Sequence, residues 1–207
     1  MTGTEIVTVE QLEAVIGTPG ERAATKGRAR LTADDRAWLA ASPFCVVSTA
    51  DADGRCDASP KGDPAGHLVH VVDDVTVALA ERPGNRRADG YRNILANPHV
   101  GLLFLIPGRG DTLRINGRAR LVTDDELLDA MAFGGKRPLL AMVVGIEEIF
   151  FHCSKAFLRS ELWQPETWAP DATVPRRAVL ARRHERDPRT LDELEAYYGP
   201  SYREGLY

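Results

Sequence analysis

The stretch SPFCVVSTADADGRCDASPKGD, residues 42–63, decides the fold class of this chain. Residues 44–49, FCVVST, are rich in side chains that favour β-strands. The DADG at 51–54 is typical of a tight turn, and residues 55–61 return from it. This stretch therefore predicts an antiparallel β-hairpin.

Further strands follow the hairpin, and tight turns link most of them. We expect strands at 67–72, 75–80, 99–106, 112–122 and 139–152, helices at 88–96, after Thr123 and at 154–162, and a polar loop at 17–30. Tight turns favour antiparallel pairing over the crossovers of a doubly wound sheet. About six or seven strands with few helices predict a mainly β fold (α+β), a closed or half-closed barrel with helices at its edges.

Helical segments flank the strand region on both sides. We expect the chain to divide into an N-terminal helical segment packing on the barrel, residues 1–43, a barrel domain, residues 44–169, and a C-terminal arm, residues 170–207. Thr8 and Thr190 each begin a capping-box pattern, which predicts a helix in each flanking segment.

Composition restricts the functional classes. The 207 residues are 43% hydrophobic and 27% charged, with a formal net charge of −4, so no broad positive surface favours nucleic acid or anionic lipid. Three cysteines without a CxxC motif argue against a disulfide scaffold or a structural zinc site. The N-terminus does not resemble a signal peptide, and no apolar run approaches the length of a membrane span. We therefore expect a cytoplasmic protein that binds neither nucleic acid nor membrane.

Familiar catalytic motifs are absent from the sequence. It contains no GxGxxG after a strand, no GxxxxGK[ST], no GxSxG and no HExxH. His67 and His70, three apart in an expected strand, would point to opposite faces, so no shared metal is expected. His152 and Cys153 are adjacent and diverge, which disfavours a Cys–His nucleophile. No catalytic residue is assigned.

Two polar segments concentrate the candidate ligand-binding residues. DASPKGD at 57–63 and ERPGNRR at 81–87 contribute Ser59, Lys61, Gly62, Arg82, Asn85, Arg86 and Arg87. The second segment leads into an expected helix, and cations beside a helix N-terminus favour anions. A phosphate monoester carries about −1.5 to −2 charges at neutral pH, which two or three cations would match. A solvated arginine-rich loop remains the alternative.

Two later segments contain further candidates. In TLRINGRARL, 112–121, strand alternation places Arg114, Asn116, Arg118 and Arg120 on one face. Arg114 and Asn116 would line a groove, or all four would form the polar outer face of the strand. In FHCSKAFLRSELW, 151–163, Lys155, Arg159 and Trp163 recur at i, i+4 and i+8 and would share a helix face, either covering an anionic aromatic ligand or forming a surface stripe.

These segments, in this order, resemble the pyridoxamine 5'-phosphate oxidase-like family of FMN-binding split-barrel proteins. Within it the chain is similar to a subgroup of FMN-dependent enzymes with unassigned substrates. The resemblance rests on residues 42–54, 57–63, 82–87, 93–108, 112–119 and 151–163. It implies an antiparallel six-stranded split β-barrel with peripheral helices, an FMN-binding domain over 44–169, and a homodimer with FMN at the subunit interface.

The resemblance also implies roles for individual residues. It assigns the FMN phosphate to Ser59 and Lys61 on one side and to Arg82, Asn85, Arg86 and Arg87 on the other. Arg114 and Asn116 match a polar position near the flavin, while Arg159 and Trp163 are similar to residues that touch its ring. Arg114 or Lys155 would favour the anionic reduced flavin. The substrate-binding signature of pyridoxamine phosphate oxidase itself is missing, so vitamin B6 oxidation is not expected.

The leading hypothesis is therefore an FMN-dependent oxidoreductase acting on an unidentified small molecule. The alternative is a non-catalytic protein that binds or carries a flavin or a deazaflavin. Nucleic-acid binding through the arginine-rich loop is disfavoured by the net charge of −4 and by the lack of aromatic residues at 81–87.

Overall fold

The strands and helices are defined here from a computed structural model that describes residues 3–170 and 173–206. The strands are β1 (Phe44–Ala50), β2 (Cys56–Gly62), β3 (Val69–Val71), β4 (Thr76–Ala80), β5 (His99–Leu105), β6 (Thr112–Val122) and β7 (Ala141–His152). The helices are α1 (Val9–Ile16), α2 (Glu21–Ala24), α3 (Ala33–Ala41), α4 (Asp89–Ala96), α5 (Asp125–Ala130), α6 (Lys155–Ser160), α7 (Arg177–His184) and α8 (Leu191–Tyr197). The predicted α+β class is confirmed.

One antiparallel sheet contains all the described strands, in the order β2-β1-β5-β6-β7-β4-β3. The predicted hairpin is present, with Phe44 opposite Gly62 and Ala50 opposite Cys56. Two details differ from a six-stranded barrel. The sheet has 7 strands, and it is not closed, because β2 and β3 lie at its two ends without pairing to each other.

The inner face of the sheet carries the main hydrophobic core. Alternate residues of the central strands, such as Leu102, Phe104 and Ile115, are fully buried there. Trp38 of α3 and Ile94 of α4 pack against the same core. Each large apolar side chain that is buried in this way contributes roughly 1.5–3 kcal/mol. This core fixes α4 against the sheet, and α4 forms one wall of the cavity described below.

The outer face of the sheet divides into two halves. On β4 and β7 it is buried together with α5, in a second cluster formed by Ala78, Ala80, Leu128, Met131, Ala141 and Val143. On β2, β1, β5 and β6 its side chains are exposed or half-buried. We call this second half the open face. The strand register aligns its residues in two rows, Pro60–Val46–Leu103–Arg114 and Ala58–Ser48–Gly101–Asn116, and Arg118 lies beside the second row. The predicted outward alternation on β6 is confirmed.

The N-terminal segment is attached to the sheet just before α3. Arg28 bridges to Ile149 of β7 by two backbone hydrogen bonds, and its guanidinium lies 2.6 Å from the buried carboxylate of Asp35. Burial raises the pKa of Asp35, but hydrogen bonds from Arg28 and Thr32 outweigh burial and hold it below its usual value. The loop predicted over 17–30 is partly wrong, because this segment contains α2 and the bridge at Arg28.

The two predicted capped helices of the flanking segments are present. Thr8 caps α1, which buries none of its residues, and Thr190 forms a reciprocal capping box at the start of α8. α7 and α8 share a small cluster of Ala178, Ala181 and Leu194. Within residues 3–170 and 173–206, no helix is both long and apolar enough to cross a bilayer.

Candidate functional site

A cavity of about 390 Å³ opens where β2, the end of β4, the loop after β4 and the start of α4 meet. Both predicted polar segments line it. Its lining includes the predicted residues Ser59, Lys61, Gly62, Arg82, Asn85, Arg86 and Arg87. The volume lies within the range of about 300–1,000 Å³ that is usual for small-molecule sites.

The strand register explains why β2 contributes polar groups to this cavity. Alternation along β2 turns Ser59 and Lys61 to the inner side of the sheet, opposite Val47 and Cys45 of β1. Burial raises the pKa of Cys45 to about 12, although the charge of Lys61 acts in the opposite direction. The Cys45 thiol therefore stays protonated at neutral pH and forms part of the core beneath the cavity.

Lys61 is held on the cavity wall by Glu81 and Tyr91, two side chains that are not among the predicted site residues. Its Nζ lies 2.8 Å from Glu81 Oε2 and 3.2 Å from the hydroxyl oxygen of Tyr91. The Tyr91 hydroxyl in turn donates to the same Glu81 oxygen, and the Lys61 ammonium lies 4.8 Å from the centre of the Tyr91 ring. Burial, followed by the hydrogen bond to Glu81 and its charge, raises the pKa of Tyr91. The three side chains form one half-buried network.

Arg82 is also paired inside the site. Its Nε donates to Asp63 Oδ2 at 2.9 Å, and only 14% of the Arg82 side chain and 3% of the Asp63 side chain are exposed. Asp63 directly follows β2, and its backbone N–H donates to the carbonyl oxygen of Pro43. This pair therefore ties the loop after β4 to the end of the hairpin.

Arg86 and Arg87 lie at the mouth of the cavity. Arg86 and Ala88 have φ angles of 60° and 55°, in the left-handed region that costs a non-glycine residue roughly 1–2 kcal/mol. The side chain of Asn85 accepts a hydrogen bond from the Arg87 N–H at 3.0 Å and so stabilises this turn. The Arg87 guanidinium contacts Asp89 but remains 77% exposed, and Arg86 has no ion-pair partner among the described residues.

Carboxylates balance the cations that line the cavity. Lys61, Arg82, Arg86 and Arg87 are matched in number by Asp57, Asp63, Glu81 and Asp89. The cations of the inner wall are neutralised by half-buried or buried carboxylates, whereas those of the mouth face solvent. The arrangement can therefore accept an anionic group at the mouth and hydrogen-bonding groups along the inner wall.

The remaining predicted site residues do not line this cavity. Arg114 and Asn116 lie on the open face, where the Arg114 Nη2 is 3.6 Å from Glu148 and Asn116 donates to the same carboxylate at 2.9 Å. Lys155 and Arg159 are exposed on α6.

Trp163 lies beyond the end of α6, so the prediction that it shares a helix face with Lys155 and Arg159 is wrong. Glu161 adopts φ 49° immediately after the helix and turns the chain away. The Trp163 indole N–H instead donates to the carbonyl oxygen of Arg109 at 2.6 Å, and its ring stacks on Phe157. Within the described residues, no cluster of three or more His, Cys, Asp or Glu side chains is placed to hold a metal ion.

Comparison with known proteins places this architecture in a family. The pyridoxamine 5'-phosphate oxidase family model matches residues 31–153, more than half of the chain. No curated protein sequence matches. Among solved structures, HupZ from Group A Streptococcus is 21% identical, with 58% of this chain and 93% of that chain covered and a TM-score of 0.48.

General Stress Protein 26 from Bacillus anthracis str. Sterne is 16% identical, with 56% and 88% of the two chains covered and a TM-score of 0.44. An F420 reductase is 17% identical, with 56% and 94% covered and a TM-score of 0.39. These structural likenesses are too distant to bear on activity, and the family model is the finding that assigns the chain. By that match, the chain belongs to the pyridoxamine 5'-phosphate oxidase family.

Proposed function

We propose that this protein is an FMN-dependent oxidoreductase that acts on a small molecule. Family membership supports the proposal, and one observation carries it: two segments far apart in sequence, around Lys61 and around Arg87, line the same cavity. The segment around Arg87 would supply the cations for an anionic group, and the segment around Lys61 would supply hydrogen-bonding groups for the rest of the ligand.

The residues present fit the phosphate of FMN at the mouth of the cavity. Arg86 and Arg87 carry two positive charges that no buried carboxylate neutralises, which suits a phosphate monoester of about −1.5 to −2 charges. Asn85 fixes the backbone between them. On the inner wall, Ser59 and Lys61 would donate hydrogen bonds to the ligand. Gly62 lines the cavity through its backbone, since a Cβ there would contact Pro43 and Phe44.

The chemistry would come from the flavin, which supplies hydride or electron transfer when it is bound. The protein's own residues would bind and orient the ligand, and the apolar side chains of Val47, Leu68 and Ile94 at the cavity would exclude water. The Lys61 ammonium, which Glu81 and Tyr91 hold in place, would donate its remaining N–H to the bound molecule.

We further propose that the protein works as a homodimer in the cytoplasm. The open face carries Val46, Leu103, Arg114 and Asn116 at the surface of one protomer, and we assign the contact with the second copy to this face. A compartment that keeps thiols reduced suits the free cysteines Cys45, Cys56 and Cys153.

The proposal is tested by the absorbance spectrum of the purified protein, mass identification of any bound ligand, and titration with FMN. We expect flavin bands or FMN binding, and Arg87→Gln should raise the Kd roughly tenfold or more through loss of a charge-assisted contact. Arg183→Gln, on the exposed side of α7, is the matched control and should leave the Kd unchanged. Absence of FMN uptake would refute the proposal.

Two further outcomes separate the alternatives. Bound deazaflavin instead of FMN would replace the cofactor assignment. Bound flavin that neither NADPH nor a panel of small substrates reduces would favour the carrier alternative.

A further inference from the structure

The N-terminal helix α1 is an apolar feature that the described part of the protomer leaves uncovered. Every described residue from Gly3 to Gly27 is exposed. Large apolar side chains nevertheless concentrate in and just before α1, at Ile6, Val7, Val9, Leu12, Val15 and Ile16. An isolated helix of this length is only marginally stable in water, so its sequence indicates a surface that it packs against.

The charge of α1 restricts that surface. Its apolar residues Val9, Leu12 and Ile16 follow helical spacing, and its only charged residues are Glu10 and Glu13. A complementary surface would combine a shallow apolar groove with positive charge at its margin.

The open face has both properties. One row across its strands consists of small residues, with Ala58, Ser48 and Gly101 side by side. The next row is taller and apolar, with Pro60, Val46 and Leu103 aligned. Because the side chains of the small row are shorter than those of the apolar row, we infer a shallow groove along it across β2, β1 and β5.

Arginines of β6 lie beside this groove. Arg114 pairs with Leu103, and Asn116 pairs with Gly101 at the end of the small row. Arg118 and then Arg120 occupy the outward positions that follow Asn116 on the strand. Arg118 and Arg120 are exposed, and no ion pair with a carboxylate neutralises either among the described residues. The acidic side of α1 and the basic margin of the open face are complementary in charge.

The attachment point of the N-terminal segment lies on the same side of the sheet. The Lys26 ammonium lies 4.4 Å from the ring centre of Phe150, and a Cβ on Gly27 would lie 2.9 Å from Glu148 Oε1. Phe150 and Glu148 are in register with Arg114 and Asn116 and therefore share their face. With α2 kept helical, residues 17–27 can span roughly 30 Å, which is enough to reach a second copy packed on that face.

We propose that α1 of one protomer docks on the open face of a second copy of the chain, with its apolar side over the Ala58–Ser48–Gly101 row and its glutamates towards Arg118 and Arg120. This inference rests on the homodimer of the proposed function. It adds that each copy exchanges its N-terminal helix with the other.

Sedimentation equilibrium of the full chain tests the apolar contact. The variant Leu12→Glu/Ile16→Glu should weaken self-association at least tenfold, while Leu139→Glu, at a residue 85% exposed elsewhere, should not. A chain that is monomeric without any substitution would refute the homodimer itself. A dimer that the α1 variant leaves unchanged would refute only the docking of α1.

Charge exchange tests the orientation. Glu10→Arg/Glu13→Arg and Arg118→Glu/Arg120→Glu should each weaken the dimer, and mixing the two variant chains should restore association. Failure of the mixture to exceed either variant alone would overturn the assigned orientation.

Disulfide trapping identifies which copy the helix contacts. In a Cys56→Ser/Cys153→Ser background, one chain would carry Leu12→Cys and the other Ser48→Cys. Oxidation of the mixture should give a covalent dimer containing one chain of each kind. A third chain would carry both Leu12→Cys and Ser48→Cys. If its oxidation gave only an intramolecular disulfide, α1 would fold back on its own protomer and the proposal would be overturned.

Discussion

The cations of the candidate cavity form two groups that differ in how far the protein itself neutralises them. On the inner wall, Lys61 and Arg82 have side chains only 22% and 14% exposed, and each contacts a carboxylate of similar or greater burial. At the mouth, the Arg87 side chain is 77% exposed and its partner Asp89 is 38% exposed.

This difference indicates which cations of the site stabilise the fold and which can bind a ligand. A buried ion pair must keep both members, because removing one leaves an uncompensated charge in a medium of low dielectric. An exposed pair is screened by water and contributes little, so its cation can exchange partners at small cost. We therefore assign the inner pairs to maintaining the cavity and the mouth arginines to ligand binding.

The largest expected effect follows from breaking the Arg82–Asp63 pair. Arg82→Met leaves the Asp63 carboxylate, 3% exposed, without this guanidinium and should lower the free energy of unfolding by about 3–5 kcal/mol. Urea denaturation followed by circular dichroism measures the change. The double variant Arg82→Met/Asp63→Leu should recover part of the loss, and a single variant as stable as the parent would contradict the assignment.

An intermediate effect is expected for Lys61→Met. Glu81 is 27% exposed and can regain some hydration, so the loss of the ammonium should cost about 1–2 kcal/mol. Lys155→Met, at an exposed lysine on α6, is the matched control and should not change the unfolding midpoint. Equal midpoints for the two variants would show that Lys61 is no more tightly integrated than a surface lysine.

Part of the fold and part of the candidate site could be predicted from the sequence. The β-rich run at 44–49, the DADG turn and the alternation of β6 are local signals, and the hairpin and outward arginines they predicted are present. The grouping of Lys61 with Arg87 was also predictable, since the arginine-rich segment at 81–87 and the polar segment that carries Lys61 both offer groups that a phosphate ester would need.

The neutralisation of the inner cations could not be predicted in the same way. Glu81 reaches Lys61 across a separation of 20 residues, and Tyr91 joins them from α4, so their contact depends on how β4 and α4 pack against β2. Counting cations alone overlooked carboxylates that stand in the same quoted segments, including Asp63. Trp163 was misplaced for a different reason, because helical spacing was extended past the end of α6 at Ser160.

The variant Tyr91→Phe tests the inner group through the pH dependence of the free energy of unfolding. The variant should lose about 1 kcal/mol at pH 8, since its ring is kept and only the hydroxyl contacts are removed. The raised pKa of Tyr91 means that the unfolded chain releases this proton first, at about pH 10, so the stabilisation is present below that pH and lost above it. Urea titrations at pH 8 and pH 11 should therefore show the difference between parent and variant shrinking, and a constant difference would contradict the network.

The smallest effect on stability is expected at the mouth. Arg86→Gln/Arg87→Gln should leave the thermal unfolding midpoint of the ligand-free protein unchanged, because both side chains are exposed and the Asp89 contact is local. Inorganic phosphate or FMN should raise the midpoint of the parent but not of this variant, since a ligand stabilises the native state only by binding to it. We expect the opposite result for Arg82→Met. Its thermal unfolding midpoint should fall in the absence of ligand, and FMN should still raise that midpoint. If phosphate stabilised the mouth variant as much as the parent, the anion would have to bind the inner cations, and the division between the two groups would be wrong.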